Sequence, residues 1–359
     1  MIGVSVSASL AYIPDWRADE TLYSWVAGFH ATYGNGSTTD TAQLLFGARH
    51  ACKERDAPND LDHFVKTTRG ELGDVRSVLL TRTPIGLFTP FLPAPRQQVL
   101  ADRIRGNDGT GWRLLCGMPA SCLGDPFALH YCEACVVEDV NTWGWPRWRL
   151  PHQLVGAWIC LDHGCVLRTL RSTAWQWHLP PIEPSGPGAP PLDQAQANGL
   201  RRMATLALNL IGTEPLDIGS IRQAVLVGLR DHGVTSWTHP LDASQLATWF
   251  AQSPIAAWMR SSSGPWQRLT TGTWVHDLLR NRVGDHPLKW MLLWSTLFAH
   301  EDEVASHRRF INPGSAPHWD ASGQGTIWGT SSASVPPDIQ RVITEAVTLK
   351  DAAKSLGMH

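Results

Sequence analysis

Two short ligand pairs constrain this chain more than any other feature. Cys132 and Cys135 form a C-x2-C pair, and Cys160 and His163 form a C-x2-H pair further on. A two-residue gap lets both members of a pair turn back onto one ion. Three thiolates and an imidazole complete a tetrahedral zinc shell with no open position. Such a closed set predicts a structural Zn2+ rather than a catalytic one, which would keep a place for water. Cys165 lies close enough to replace one ligand. Between the pairs stand Trp143, Trp145 and Trp148, broken by Gly144 and Pro146. That run predicts a short hairpin or loop with a wall of aromatic packing.

The rest of the composition sets limits. A chain of 359 residues has length for two or three cores. Hydrophobic content of 43% against 17% charged makes it globular. A net charge of −2 argues against binding nucleic acid through bulk electrostatics. A local patch could still do so, and Arg147 and Arg149 beside the tryptophans, with Arg168 and Arg171 after the last ligand, are the candidates. Trp143, Trp145 and Trp148 are candidates for partner or nucleic-acid contact beside them. Of seven Cys, those outside the ligand set (Cys52, Cys116, Cys122 and Cys165) read as buried thiols. Thiolate metal ligation beside thiols fits a reducing cytoplasm. No signal peptide and no membrane span is expected.

Apolar periodicity predicts a mainly α protein. An extended lead-in ends at Pro14-Asp15-Trp16. A helix from about Asp19 carries Leu22, Trp25, Val26, Phe29 and Tyr33 on one stripe, with Asp19 and Glu20 at its start and Gly34-Asn35-Gly36 ending it. Asp40 with Gln43 reads as the cap of a second helix, stopped at Gly47. Asp60 starts a third. Short helices joined by tight turns are compatible with a helix-turn-helix-like bundle. Gln97–Arg105 reads as a helix and Gly106-Asn107-Asp108-Gly109 as a turn. Leu179–Gln194, rich in proline, reads as a linker. Helices follow through Leu200–Leu210, Ile221–Leu229, from Leu241-Asp242, and on both sides of Gly284-Asp285-His286-Pro287. Asn312–Pro337 reads as a surface loop and Asp338–Leu356 as a terminal amphipathic helix.

The pattern of Pro14, Glu20, Ser24 and Trp25, with Leu45-Phe46-Gly47 after it, resembles the start of TniQ proteins. The module from Tyr131-Cys132 to Cys160-x2-His163-Gly164 and Leu167 is similar to their zinc finger. The resemblance covers roughly residues 10–170, and departs from the family pattern in the longer gap between the pairs and in Cys165. It implies an adaptor, not an enzyme, that selects target sites in DNA transposition and recruits an AAA+ ATPase of the TnsC or TniB kind. The target is then marked by DNA sequence or by a CRISPR RNA-guided effector complex, and a homodimer is compatible with the role. The alternative is a zinc-containing, sequence-specific transcription regulator.

The expected organisation is a helical N-terminal domain over 1–115, with a zinc-ribbon-like finger module over 116–178 and a linker over 179–194. A helical C-terminal domain over 195–310 and a loop with a terminal helix over 311–359 complete it. No catalytic residue is assigned. The chain has no G-x4-GK[ST] phosphate loop and no G-x-S-x-G elbow, and His300–Val304 lacks the second His of a zinc-protease helix.

Overall fold

A computed structural model describes residues 10, 12–33, 37–51, 60–106, 112–117, 123, 128–171, 176–183, 191–235, 241–280, 286–313, 318–319 and 325–326. The Gly34–Gly36 turn, Asn107–Gly109, Gly284-Asp285, Cys52, Cys122 and the terminal helix expected at Asp338–Leu356 lie outside the described residues. The chain packs as one unit over Met1–Ile311 and another over Asn312–His359. In the second unit, His318–Trp319 pairs antiparallel with Gly325–Thr326.

The first unit is mainly helical. α1 (Leu22–Tyr33), α2 (Thr38–Phe46), α3 (Leu61–Thr67) and α4 (Val75–Arg82) open it. The start of α1 differs from expectation. Asp19 takes a left-handed φ of 53°, and the helix begins three residues later, because the Asp19 and Glu20 carboxylates turn inward to partners described below. α2 is capped by Ser37, whose hydroxyl accepts from the Asp40 N–H at 3.1 Å. Asp40 is thus a first-turn acid that favours the helix dipole rather than the cap. Gly47 ends α2 at φ 67°, donating its N–H to the Gln43 carbonyl at 3.0 Å. Asp60 caps α3 as its position implied. α5 starts at Ala94, ahead of Gln97, with Pro95 in its first turn.

One apolar core gathers α1–α5 around Trp25, Phe46, Phe64 and Leu100. A second gathers the later helices: α6 (Gln194–Leu210), α7 (Ile218–Asp231), α8 (Ala243–Ala251), α9 (Pro254–Ser261), α10 (Trp274–Arg280), α11 (Pro287–Leu297) and α12 (Glu303–Ile311). Asp193 opens α6 with a full capping box to Gln196. α11 is buried almost all round, from Pro287 to Ser295 except at Lys289, and again at Leu297, as its apolar run requires. The segment between the cores serves both. Trp148, Tyr131 and Val136 pack in the first, while Leu150, Leu154, Trp158 and Ile159 pack in the second.

Among the described residues no helix is long and apolar enough to cross a membrane.

Candidate metal centre and its interlock with the first helix

A two-stranded ribbon brings the ligand pairs together. β1 (Ala128–Tyr131) runs antiparallel to β2 (Arg168–Arg171), with Tyr131 opposite Arg168. Cys132 follows β1 directly and Leu167 precedes β2, so pairing the strands folds the chain between them back on itself. The second knuckle is a tight loop. Cys160 donates its N–H to the Cys165 carbonyl at 2.8 Å, and Gly164 donates to the Cys160 carbonyl at 2.9 Å. Gly164 sits at φ 66°, a left-handed turn that suits glycine. The first knuckle leads into a helix, Glu133–Trp143, and the tryptophan run continues beyond Gly144 as an irregular loop, as its Gly144 and Pro146 implied. That helix buries Cys135, Val136 and Asp139 along one side and stops at Gly144, φ 84°.

Cys132, Cys135, Cys160 and His163 bring their donor atoms within 4.8 Å of one another, a set that could hold a metal ion. His163 Nδ1 lies 3.6 Å from Cys132 Sγ, 3.3 Å from Cys135 Sγ and 3.6 Å from Cys160 Sγ. Cys135 Sγ and Cys160 Sγ are 3.6 Å apart. Zinc–ligand bonds of about 2.0–2.3 Å give tetrahedral edges of roughly 3.5–3.8 Å, so the donors already stand near the corners such an ion needs. The outer ring nitrogen of His163 is 2.9 Å from Glu138 Oε1, the carboxylate partner that orients metal-binding imidazoles. Glu138 and the negative charge at Cys132 raise the His163 pKa against the opposing effect of burial. Bonds from Cys135, Cys160 and Cys165 push the Cys132 thiol pKa down. Cys165 is exposed, not buried as expected, and its Sγ lies 3.3 Å from Cys132 Sγ. Cys116 is buried.

A buried ionic chain ties this centre to the start of α1. Asp139 is 2% exposed. Its Oδ1 accepts from Arg147 Nη1 at 2.5 Å and from Arg149 Nη2 at 2.9 Å. Arg147 continues to Asp19 Oδ1 at 3.0 Å, and Arg149 to Asp162 Oδ2, in the second knuckle, at 3.1 Å. Burial raises the Asp19 pKa, opposed by the two arginines. Beside this chain, Glu20 Oε1 accepts from the Ser24 hydroxyl at 2.9 Å, and Ser24 Oγ accepts from the Trp148 N–H at 2.9 Å. Burial also raises the Glu20 pKa, with the Ser24 bond working against it. Thr21 N–H donates to the Trp148 carbonyl at 3.1 Å, and Leu150 N–H to the Asp19 carbonyl at 2.6 Å. Trp25 Nε1 donates to the Pro14 carbonyl at 2.9 Å. The residues Pro14, Glu20, Ser24 and Trp25 therefore form a clamp on the lead-in and on the segment after Gly144. Asp19, Glu138 and Asp139 were missed as members of the site. The available signal was an aspartate four residues after Cys135, on the helix side that the ligand fixes inward.

The candidate contact residues divide by burial. Trp148 is 0% exposed, with its indole N–H donated to the His178 carbonyl at 2.6 Å. Arg147 and Arg149 are buried in the ionic chain. Arg168 pairs with Glu133. Arg171 is exposed at the end of β2. Trp143 and Trp145 remain 53% and 41% exposed, with the Arg17 guanidinium 5.4 Å and 4.4 Å from their ring centres.

Together these features define a mainly helical protein organised around a metal-type module of three cysteines and one histidine. The TniQ family model matches residues 11–167, the stretch that runs from the lead-in through both knuckles to Leu167. A TniQ domain suggests a transposition-associated target-selection protein. No curated protein matches the chain.

Proposed function

We propose that this chain is a zinc-stabilised adaptor that selects the target in DNA transposition and recruits an AAA+ ATPase of the TnsC or TniB kind. The observation that carries the reading is the TniQ match over residues 11–167, coincident with the clamp and the four-ligand set. Cys132, Cys135, Cys160 and His163 would hold the Zn2+, which supplies a structural cross-link and no reactive position when bound. Glu138 keeps the imidazole tautomer that presents Nδ1. The ionic chain through Asp139 makes the knuckles and α1 one body, so a partner held by either moves both.

Trp143 and Trp145 are the proposed partner contacts, because exposed tryptophans beside an arginine have the composition of interface anchors. Arg171 is the basic contact left on the surface of the module. Trp148, Arg147 and Arg149 act from inside, by holding the loop that carries Trp145. A near-neutral chain favours a target reached through a specific DNA site or through an RNA-guided CRISPR complex over tight random-DNA binding. The helix-turn-helix reading of α1–α3 belongs to the first of these. The proposed divisions are the helical region before the finger module, the module itself, the proline-rich linker and the later helices.

The test is a pull-down of an AAA+ ATPase of the TnsC or TniB kind, with and without target DNA, using full-length protein. Recruitment that depends on the target is expected. Binding to one operator sequence with no ATPase association would replace the adaptor by a transcription regulator.

A further inference from the structure

We propose that Cys165 is a reserve ligand that can take the place of His163, so that the metal centre has both a three-thiolate form with an imidazole and an all-thiolate form. This rests on the metal-binding reading above. Four donors lie within 4.8 Å of one another, as a tetrahedral ion needs, and a fifth sulfur, Cys165 Sγ, touches that set at Cys132. Cys165 Sγ stands 3.3 Å from Cys132 Sγ, no farther than His163 Nδ1 is from Cys132 at 3.6 Å. Both side chains approach the same first-knuckle sulfur, so each can occupy the corner next to it.

The loop favours an exchange that leaves its backbone in place. His163 and Cys165 flank Gly164 in one turn, and the Cys160 N–H to Cys165 carbonyl bond anchors that turn whichever side chain ligates. Leu167 N–H, donated to the Trp158 carbonyl at 2.9 Å, anchors the chain just beyond it. His163 is the more easily displaced of the four ligands. It is exposed, and its orienting partner Glu138 is 56% exposed, where water competes for the bond. Cys132, Cys135 and Cys160 are buried. A fourth thiolate adds one negative charge to the shell. Arg149, buried and reaching Asp139, Asp162 and Glu138, is the cation placed to balance it.

Cobalt(II) titrated into chelator-treated, full-length protein tests this, because the thiolate-to-cobalt absorption scales with the number of sulfur ligands. Wild type and Cys165→Ser are expected to give the same three-thiolate spectrum with one ion bound. His163→Ala should still bind one ion, with the thiolate band raised by about one third, as a fourth sulfur joins three. His163→Ala with Cys165→Ser should lose at least 100-fold in affinity. If His163→Ala is insoluble, Glu138→Gln keeps all five donors, and a rise in its thiolate band supports the exchange, while an unchanged band overturns it. Loss of metal from His163→Ala alone, or a three-thiolate spectrum in it, overturns the reserve role. A lowered band in Cys165→Ser does so too, because Cys165 would then be a resident ligand. Absence of cobalt binding by the wild type would instead refute the metal-binding reading itself.

Discussion

Ser24 and Trp148 lie 124 residues apart, and the Ser24 hydroxyl oxygen accepts the Trp148 backbone N–H at 2.9 Å in a fully buried contact. The same hydroxyl donates to Glu20. One small side chain thus satisfies the first helix and the loop behind the first knuckle together. Ser24→Ala leaves a buried N–H and a buried carboxylate oxygen short of a partner. The expected loss is about 1–3 kcal/mol, read as a lowered denaturant midpoint with unchanged slope. Trp148→Ala should lose more, roughly 3–5 kcal/mol, through the cavity it opens. A Ser24→Ala protein as stable as wild type would show that the clamp adds nothing to folding.

Asp139 holds two arginines that are themselves buried. Asp139→Asn leaves both guanidinium groups without their shared charge, and breaking a buried pair from one side destabilises by about 3–5 kcal/mol. The exposed pair of Arg105 and Asp62, 3.5 Å apart, is the internal comparison. Asp62→Asn should change stability by less than about 1 kcal/mol. Equal effects from the two substitutions, measured by urea unfolding, would remove the ionic chain from any structural role.

Metal removal should unfold the module, since its donors close a loop that holds little apolar core of its own beyond Leu167. Elemental analysis should find one zinc per chain. Chelation should lower the melting temperature and the near-ultraviolet tryptophan signal, and zinc should restore both. Cys132→Ser should lose metal and soluble yield together. Folded protein without zinc would contradict the assignment.

Trp143 and Trp145 are exposed on the surface of the knuckle helix and its following turn. Replacing both by Ala should change stability by no more than about 1 kcal/mol and leave the zinc content at wild-type level. Recruitment of the ATPase should fall at least tenfold. Full recruitment by the double variant would move the partner surface elsewhere.

His152 is buried beside the module, and desolvation pushes its pKa down to about 4. Cys132 and Asp162 oppose that shift, and Arg149 and His130 add to it. The sign follows from proton counts. Between about 6.5 and about 4 the unfolded chain holds a proton on this ring that the folded chain does not, so stability falls as the pH drops through that window. His152→Gln should flatten this fall by an amount on the order of 3 kcal/mol or less. Urea midpoints of zinc-saturated wild type and variant, compared between neutral and mildly acidic pH, measure it. Parallel curves would show that the ring titrates normally.

Local chemistry in the sequence determined a good deal of this protein. Ligand spacing alone marked Cys132, Cys135, Cys160 and His163, because a two-residue gap has few other uses for paired donors. Apolar periodicity marked α1 and the helices after Asp193, and the Asp60 and Asp242 caps were readable because capping depends on residues only three positions away. The loop after Gly144 was readable from Gly144 and Pro146, whereas the helix Glu133–Trp143 before it was not foreseen, since only Cys135, Val136 and Asp139 of it are buried. Only the tertiary structure decided the roles of the charged and aromatic residues between the ligand pairs. Arg147 and Arg149 read as surface cations until Asp19 and Asp139, distant in sequence or on another face, were brought to them. Trp148 and Trp145 stand three residues apart, and whether each faces core or solvent follows from where the first helix lies. Burial and ion pairing are properties of what comes to lie against a residue, and here two of those partners, Asp19 and Ser24, are more than a hundred positions away along the chain.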